Sequence, residues 1–106
     1  MREHDVSLEI VDRSDGAAAA RLAGDFDIVT SGDVKRELAR LVDDGHASLV
    51  LDLSDVGFVD SSGLGALVAL HRYAESQGCR FAVRAVPPQV QRLFEITRLD
   101  DFLAIE

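Results

Sequence analysis

The sequence predicts one α/β domain spanning residues 1–106, with a mixed, mostly parallel sheet, an N-terminal hairpin and helices mainly on one face. Three observations predict it. Val6, Leu8 and Ile10 alternate with Ser7 and Glu9, and the turn sequence Asp12-Arg13-Ser14-Asp15-Gly16 then leads into a second apolar run, which is the pattern of a hairpin. From Thr30 onward, helix-period and strand-like segments alternate, which implies parallel pairing through right-handed crossovers. Arg21, Asp52 and Arg84 interrupt otherwise apolar strands, whereas parallel strands covered on both faces read as unbroken apolar runs. One face of the sheet is therefore expected to be open to solvent, at least in part. The length suffices for one core and not for two.

Val6 to Val11 is the first strand and Ala17 to Leu22 the second. Helix propensity alone would make the alanine run helical, but the turn before it and Gly24 after it leave too few residues for a stable helix. Thr30 or Ser31 caps a helix running to about Asp44, with Val34, Leu38, Leu41 and Val42 at helical spacing and Gly45 as its stop. Ser48 to Leu53 is a buried strand. Ser61 to about Gln77 is a helix ended by Gly78, and Arg80 to Val86 is another strand. Pro87-Pro88 opens a third helix, to about Thr97, whose apolar side is Val90, Leu93, Phe94 and Ile96. Phe102 to Ile105 forms one last short strand.

Composition narrows the function. Nineteen acidic residues against eleven basic ones give a net charge of −8, and the longest basic run is the pair Lys35-Arg36, which argues against nucleic acid and anionic membrane surfaces. A protein partner with a basic face fits better. No apolar stretch is long enough to span a bilayer, and the first residues lack the apolar segment of a signal peptide, so a cytoplasmic domain with no membrane insertion is expected. A single cysteine, Cys79, excludes an internal disulfide and reads as a small hydrophobe at a strand start.

Binding chemistry in such sheets gathers beyond the carboxyl ends of the strands. Three segments are expected to converge there: Gly24-Asp25-Phe26-Asp27, Asp60-Ser61-Ser62-Gly63 and Val86-Pro87-Pro88. The second is the most informative. It places two hydroxyls where a helix begins, beside unpaired N–H groups and the positive end of the macrodipole, a setting that favours an anion such as phosphate. Two readings stand for Ser61 and Ser62: a helix cap, or a phosphorylation site whose product the helix tolerates. Asp60 is itself a good cap and in that role frees one or both hydroxyls. Gly63 and Gly65 carry a cost inside a helix that asks for a reason, either close packing on the sheet or access for a partner. Leu64 to Leu70 has apolar or glycine residues all round the helix, so part of it is expected to form an exposed apolar strip beside the serines.

Asp25 and Asp27 form an Asp-x-Asp pair of the kind found in aspartyl phosphotransferases and Mg²⁺ sites. Such an enzyme also needs a lysine at the same edge, and the only one, Lys35, lies well inside the first helix. Turn and capping carboxylates are the plainer reading. There is no Gly-x-Ser-x-Gly elbow and no phosphate-binding glycine loop, and His4, His46, His71 and Cys79 have no metal-ligand spacing. No catalytic residue, metal or cofactor is expected.

The stretch from Leu53 to Gly65 resembles the phosphorylation-site signature of the STAS domain, in particular that of the bacterial anti-sigma factor antagonists (anti-anti-sigma factors). The resemblance extends to Leu22-Ala23-Gly24-Asp25-Phe26-Asp27, before the first helix, and to the segment from Val86 to Glu95, at the start of the third. It implies a one-sided sheet-and-helix domain that binds an anti-sigma factor and so releases a sigma factor. It further implies that the anti-sigma factor is a serine kinase acting on the serine directly after the aspartate, here Ser61, and that a phosphatase reverses the mark. Asp25, Asp27, Asp60, Ser61, Ser62, Gly63 and Leu64 are the partner-binding residues it implies. Related domains commonly continue into a final helix, which the sequence up to Glu106 does not contain. Two other readings remain: a STAS interaction module of a transporter or sensory complex, with no phosphoswitch, and a small Asp-dependent phosphotransfer enzyme.

Overall fold

Four consecutive alanines, Ala17 to Ala20, open a strand in spite of their helix propensity, because tertiary pairing on both sides overrides it. The computed structural model describes residues 6–14 and 16–106; Asp15, in the expected turn, and His4 lie outside them. Strands β1 (Val6–Ser14) and β2 (Ala17–Phe26) pair antiparallel. Gly16, at φ 73°, takes the left-handed conformation that the tight turn between them requires. On its other edge β2 pairs in parallel with β3 (Ser48–Val59), so its backbone is satisfied by two ladders.

The chain continues through α1 (Ser31–Asp43), β3, α2 (Ser61–Ser76), β4 (Arg80–Arg84), α3 (Pro88–Ile96), a 3-10 turn at Leu99–Asp101 and β5 (Ala104–Ile105). Sheet order follows chain order, β1-β2-β3-β4-β5, and every pairing after the hairpin is parallel. Ala18, Leu49 and Phe81 lie side by side on one face, as do Ala20, Leu51 and Val83. This face forms a single core with Val34, Leu38, Leu41 and Val42 of α1, Leu64, Leu67, Leu70 and Ala74 of α2, and Val90 and Phe94 of α3.

The opposite face carries Arg21, Asp52 and Arg84, adjacent across β2, β3 and β4. This is the open face that the polar interruptions predicted. Asp52 is nearly buried between the two arginines. Its Oδ2 lies 3.4 Å from Arg84 Nε and 4.0 Å from Arg21 Nε, and Ser54 N–H donates to Oδ1 at 2.8 Å. Burial alone pushes this carboxyl up, but the Ser54 hydrogen bonds and the two guanidiniums outweigh it and hold the group below its ordinary value.

The principal difference from expectation is length. β2 does not stop at Leu22 and β3 does not stop at Leu53. The two strands continue together, with Gly24 opposite Val56 and Phe26 opposite Val59, while the β3–β4 ladder ends at Asp52–Arg84. Register shifts interrupt the extension between Arg21 and Ala23 and between Gly24 and Asp25, where Gly24 has φ 103°. These bulges bend the tip and change the buried spacing on β3 from two to three, Leu53, Val56, Val59; β1 follows β2 as far as Gly24, so only the last residues of the tip are two-stranded. At the other end, β4 stops at Arg84 rather than Val86, with Ala85 at φ 54°. The last strand is shortened to two residues by the 3-10 turn before it.

Candidate functional site

Asp60 organises the site. It has extended backbone at the end of β3 and is the N-cap of α2. Its Oδ1 accepts from Ser62 N–H at 2.9 Å and Gly63 N–H at 3.0 Å, two of the donors that a helix start leaves unpaired. Its Oδ2 accepts from Ile28 N–H at 3.1 Å, and its own N–H donates to Phe26 O at 3.3 Å. One carboxylate thus caps the helix and ties it to the loop that follows β2. Because Asp60 is the cap, neither serine hydroxyl has that duty. Ser61, the first residue of α2, is exposed, and Ser62 is half-buried.

Gly63 has a packing reason. A Cβ built on it would lie 2.3 Å from Phe26 O and 3.1 Å from Val59 Cγ1, so the first turn of α2 presses on the end of β2 with no room for a side chain. Gly65 has none: a Cβ there meets nothing within 4 Å.

Asp27 is buried and holds the turn into α1. Its Oδ1 accepts from Val29 N–H at 3.0 Å, Thr30 N–H at 3.2 Å and the Thr30 hydroxyl at 3.3 Å, an Asx-type turn. Thr30 occupies the N-cap position of α1, but its hydroxyl makes no capping bond. It turns back to Asp25 O at 2.7 Å and accepts from Asp27 N–H at 3.0 Å. Asp25 itself is half-buried, and Gly57 leaves room beside its carboxylate.

The structure therefore brings Asp25, Asp27, Asp60, Ser61 and Ser62 to the bent tip of β2 and β3. Gly63 and Leu64 lie beneath them, buried. The tip hydrogen bonds join the first two of the three expected segments. Val86-Pro87-Pro88 follows the end of the β3–β4 ladder at Asp52–Arg84 and leads into α3. Of the expected apolar strip on α2, Leu64, Ala66, Leu67 and Leu70 turn into the core, while Gly65 and Ala69 are exposed and Val68 is half-buried. The exposed apolar side chains at the tip are Ile28, Val29 and Phe58, which pattern reading missed. The signal was present as two adjacent β-branched residues in a turn otherwise built of Asp, Thr, Ser and Gly.

Among the described residues no three histidine, cysteine or acidic side chains are placed to hold a metal ion, and no helix is long and apolar enough to cross a membrane. Cys79 is buried, and burial pushes its thiol up, as suits a core residue.

A sheet covered on one face, with a serine pair at a helix start beyond its parallel strands, defines a class, and comparison with known proteins gives it a name. The Mlab, STAS domain family matches residues 10–105, and the chain belongs to the STAS domain family. The anti-sigma-B factor antagonist of Bacillus subtilis is 30% identical over 95 residues, covering 90% of this chain and 86% of that protein. The crystal structure of an anti-sigma factor antagonist from Mycobacterium paratuberculosis superposes with a TM-score of 0.83 at 28% identity, covering 95% of this chain and 85% of the other. The Bacillus cell fate determinant SpoIIAA in its phosphorylated form shares the fold, with a TM-score of 0.70 at 19% identity over 96% of this chain and 91% of that one. Among its relatives and structural neighbours the chain is thus grouped with the anti-sigma factor antagonists.

Proposed function

We propose that this protein is an anti-sigma factor antagonist switched by phosphorylation of Ser61. It binds an anti-sigma factor that is also a serine kinase, and so releases a sigma factor; phosphate on Ser61 ends the binding, and a phosphatase restores it. The observation that carries the reading is the division of labour at the start of α2: Asp60 caps the helix, and Ser61 is left exposed with its hydroxyl unassigned. Relatives named anti-sigma-B factor antagonists support it.

The physical chemistry fits. A phosphoryl group adds about 1.5 to 2 negative charges at a helix N-terminus, where the dipole favours it even though Asp60 already holds the Ser62 and Gly63 N–H groups. The fold has little reason to respond. A docked partner meets new charge and bulk in a contact made for a neutral hydroxyl, amid Asp25 and Asp60. Asp27, Gly63 and Leu64 shape this surface from beneath.

The test is phosphorylation of the purified protein by a purified anti-sigma kinase of the same bacterium, with ATP. One phosphate on Ser61 is expected by peptide mass spectrometry, and a phosphate on Ser62, Thr30 or Ser54 would overturn the assignment. In titration calorimetry the phosphorylated form should bind that kinase at least tenfold more weakly, about 1.4 kcal/mol. Asp25→Asn should weaken binding while Glu9→Gln, on the open face of the sheet, should not. Equal affinity of the two phosphorylation states would falsify the switch.

A further inference from the structure

Ile28 and Val29 are 76% and 61% exposed, and the turn that holds them does not need them. Its geometry is fixed by other groups: Asp27 Oδ1 holds Val29 N–H and Thr30 N–H, and Asp60 Oδ2 holds Ile28 N–H. Any side chain that tolerates the turn would serve in water, so the apolar pair has no reason internal to the fold. Single exposed apolar residues are ordinary, but Ile28 and Val29 are adjacent in one loop and form a small patch; Phe58, half-exposed, lies on β3 opposite Asp25. Val29 further lines an open groove of about 660 Å³ between β1 and α1, whose apolar wall is Val6, Leu8 and Ile10.

The two segments that build the tip carry acidic side chains only, although Arg13 and Arg40 line the groove beyond Val29, Asp33 is paired with Arg36, and Asp27 is buried. Residues 24–33 and 54–65, which build the tip, contain Asp25, Asp27, Asp33, Asp55 and Asp60 and no lysine or arginine. A surface that is apolar at its centre and acidic at its edge fits a partner with an apolar pocket bordered by basic side chains.

Resting on the function proposed above, we infer that Ile28 and Val29 are the apolar anchor by which this chain selects its own anti-sigma factor, with Asp60 positioning Ile28 and Asp27 positioning Val29. The occupant is that partner and not another, because one carboxylate binds both features. Oδ1 sets the start of α2 beside Ser61, and Oδ2 holds Ile28 N–H. A kinase whose active site reaches the Ser61 hydroxyl therefore faces Ile28 as well. Ser61 reports phosphorylation state; the neighbouring pair decides which partner reads it.

The experiment uses each anti-sigma kinase of the source bacterium, purified singly, against the full chain. The Ile28→Ser/Val29→Ser double variant should bind the kinase preferred by wild type at least tenfold more weakly. Its melting temperature should stay within about 3 °C of wild type, since both side chains are already in water. Ile28→Leu should restore most of the affinity. Ile96→Ser, which removes an equally exposed residue (71%) on α3, should leave binding unchanged. Wild-type affinity in the double variant, together with a Ser61 phosphate that still weakens binding, overturns the anchor and leaves the switch standing. Failure of wild type to bind any of the kinases overturns both.

Discussion

Gly63 and Gly65 lie two residues apart in the same helix, and the structure predicts opposite signs for their replacement by alanine. At Gly63 the added methyl would sit 2.3 Å from Phe26 O, 3.1 Å from Phe26 C and 3.1 Å from Val59 Cγ1. The obstacle is backbone and cannot rotate away. Moving Phe26 O also disturbs the hydrogen bond it accepts from Asp60 N–H. Forced overpacking costs about 1–3 kcal/mol, and a strained hydrogen bond adds about 1 kcal/mol. The helix gains up to about 1 kcal/mol when alanine replaces glycine. The net for Gly63→Ala is a loss of about 1–4 kcal/mol. At Gly65 only the propensity gain applies, because nothing lies within 4 Å of the added atom, so Gly65→Ala should be stabilising by about 0.5–1 kcal/mol. Urea unfolding followed by circular dichroism, with a common slope for the three proteins, measures the difference as a shift in midpoint. A Gly63→Ala protein as stable as wild type would show that α2 does not press on the end of β2, and the geometry of the Ser61 tip would have to be redrawn.

Two further outcomes follow from side-chain electrostatics. Asp52 is held below its ordinary carboxylate range, so its contribution to stability is fully present above pH about 4 and is lost as pH falls through the lowered value. Asp52→Asn should cost about 1 kcal/mol at neutral pH, leaving Arg21 and Arg84 without their shared anion, and should flatten the acid limb of the stability curve; an unchanged acid limb refutes this assignment. Ser61→Asp should change stability by no more than about 1 kcal/mol, because an anion at a helix N-terminus is tolerated or favoured. A denaturant midpoint showing several kcal/mol of loss would mean that Ser61 is structural and not presented for modification.

Much of the architecture was legible because its signals are local. The alternation in β1, the caps and stops of α1 and α2, and the proline start of α3 each depend on a few neighbouring residues. The open face was legible for the same reason, since Arg21, Asp52 and Arg84 stand out within otherwise apolar strands. The extension of β2 and β3 was not. Its buried residues, Leu53, Val56 and Val59, are spaced by three because the ladder contains bulges, and Ser54, Asp55 and Gly57 between them read as loop. Strand pairing and register shifts are properties of two segments more than thirty residues apart, and no window along one segment contains them.

The same limit applies to the site, with a physical consequence. Asp60 reads in the sequence as a helix cap, a function that needs only the residues after it. Its second function, holding Ile28 N–H, depends on the bent tip that carries the loop after β2 to the start of α2. Register shifts interrupt the ladder just before this point, and beyond them the N-terminal turn of α2 presses on Phe26 O. Gly24 at φ 103° and Gly63 with no room for a Cβ are the two positions where that geometry admits no side chain. Two glycines, each costing up to about 1 kcal/mol against alanine, thus go with a tip in which one capping carboxylate hydrogen-bonds both the helix start beside an exposed hydroxyl and the loop that carries an apolar pair. A partner that reads charge at Ser61 needs those bonds, because a mobile tip could move an added phosphate out of its way.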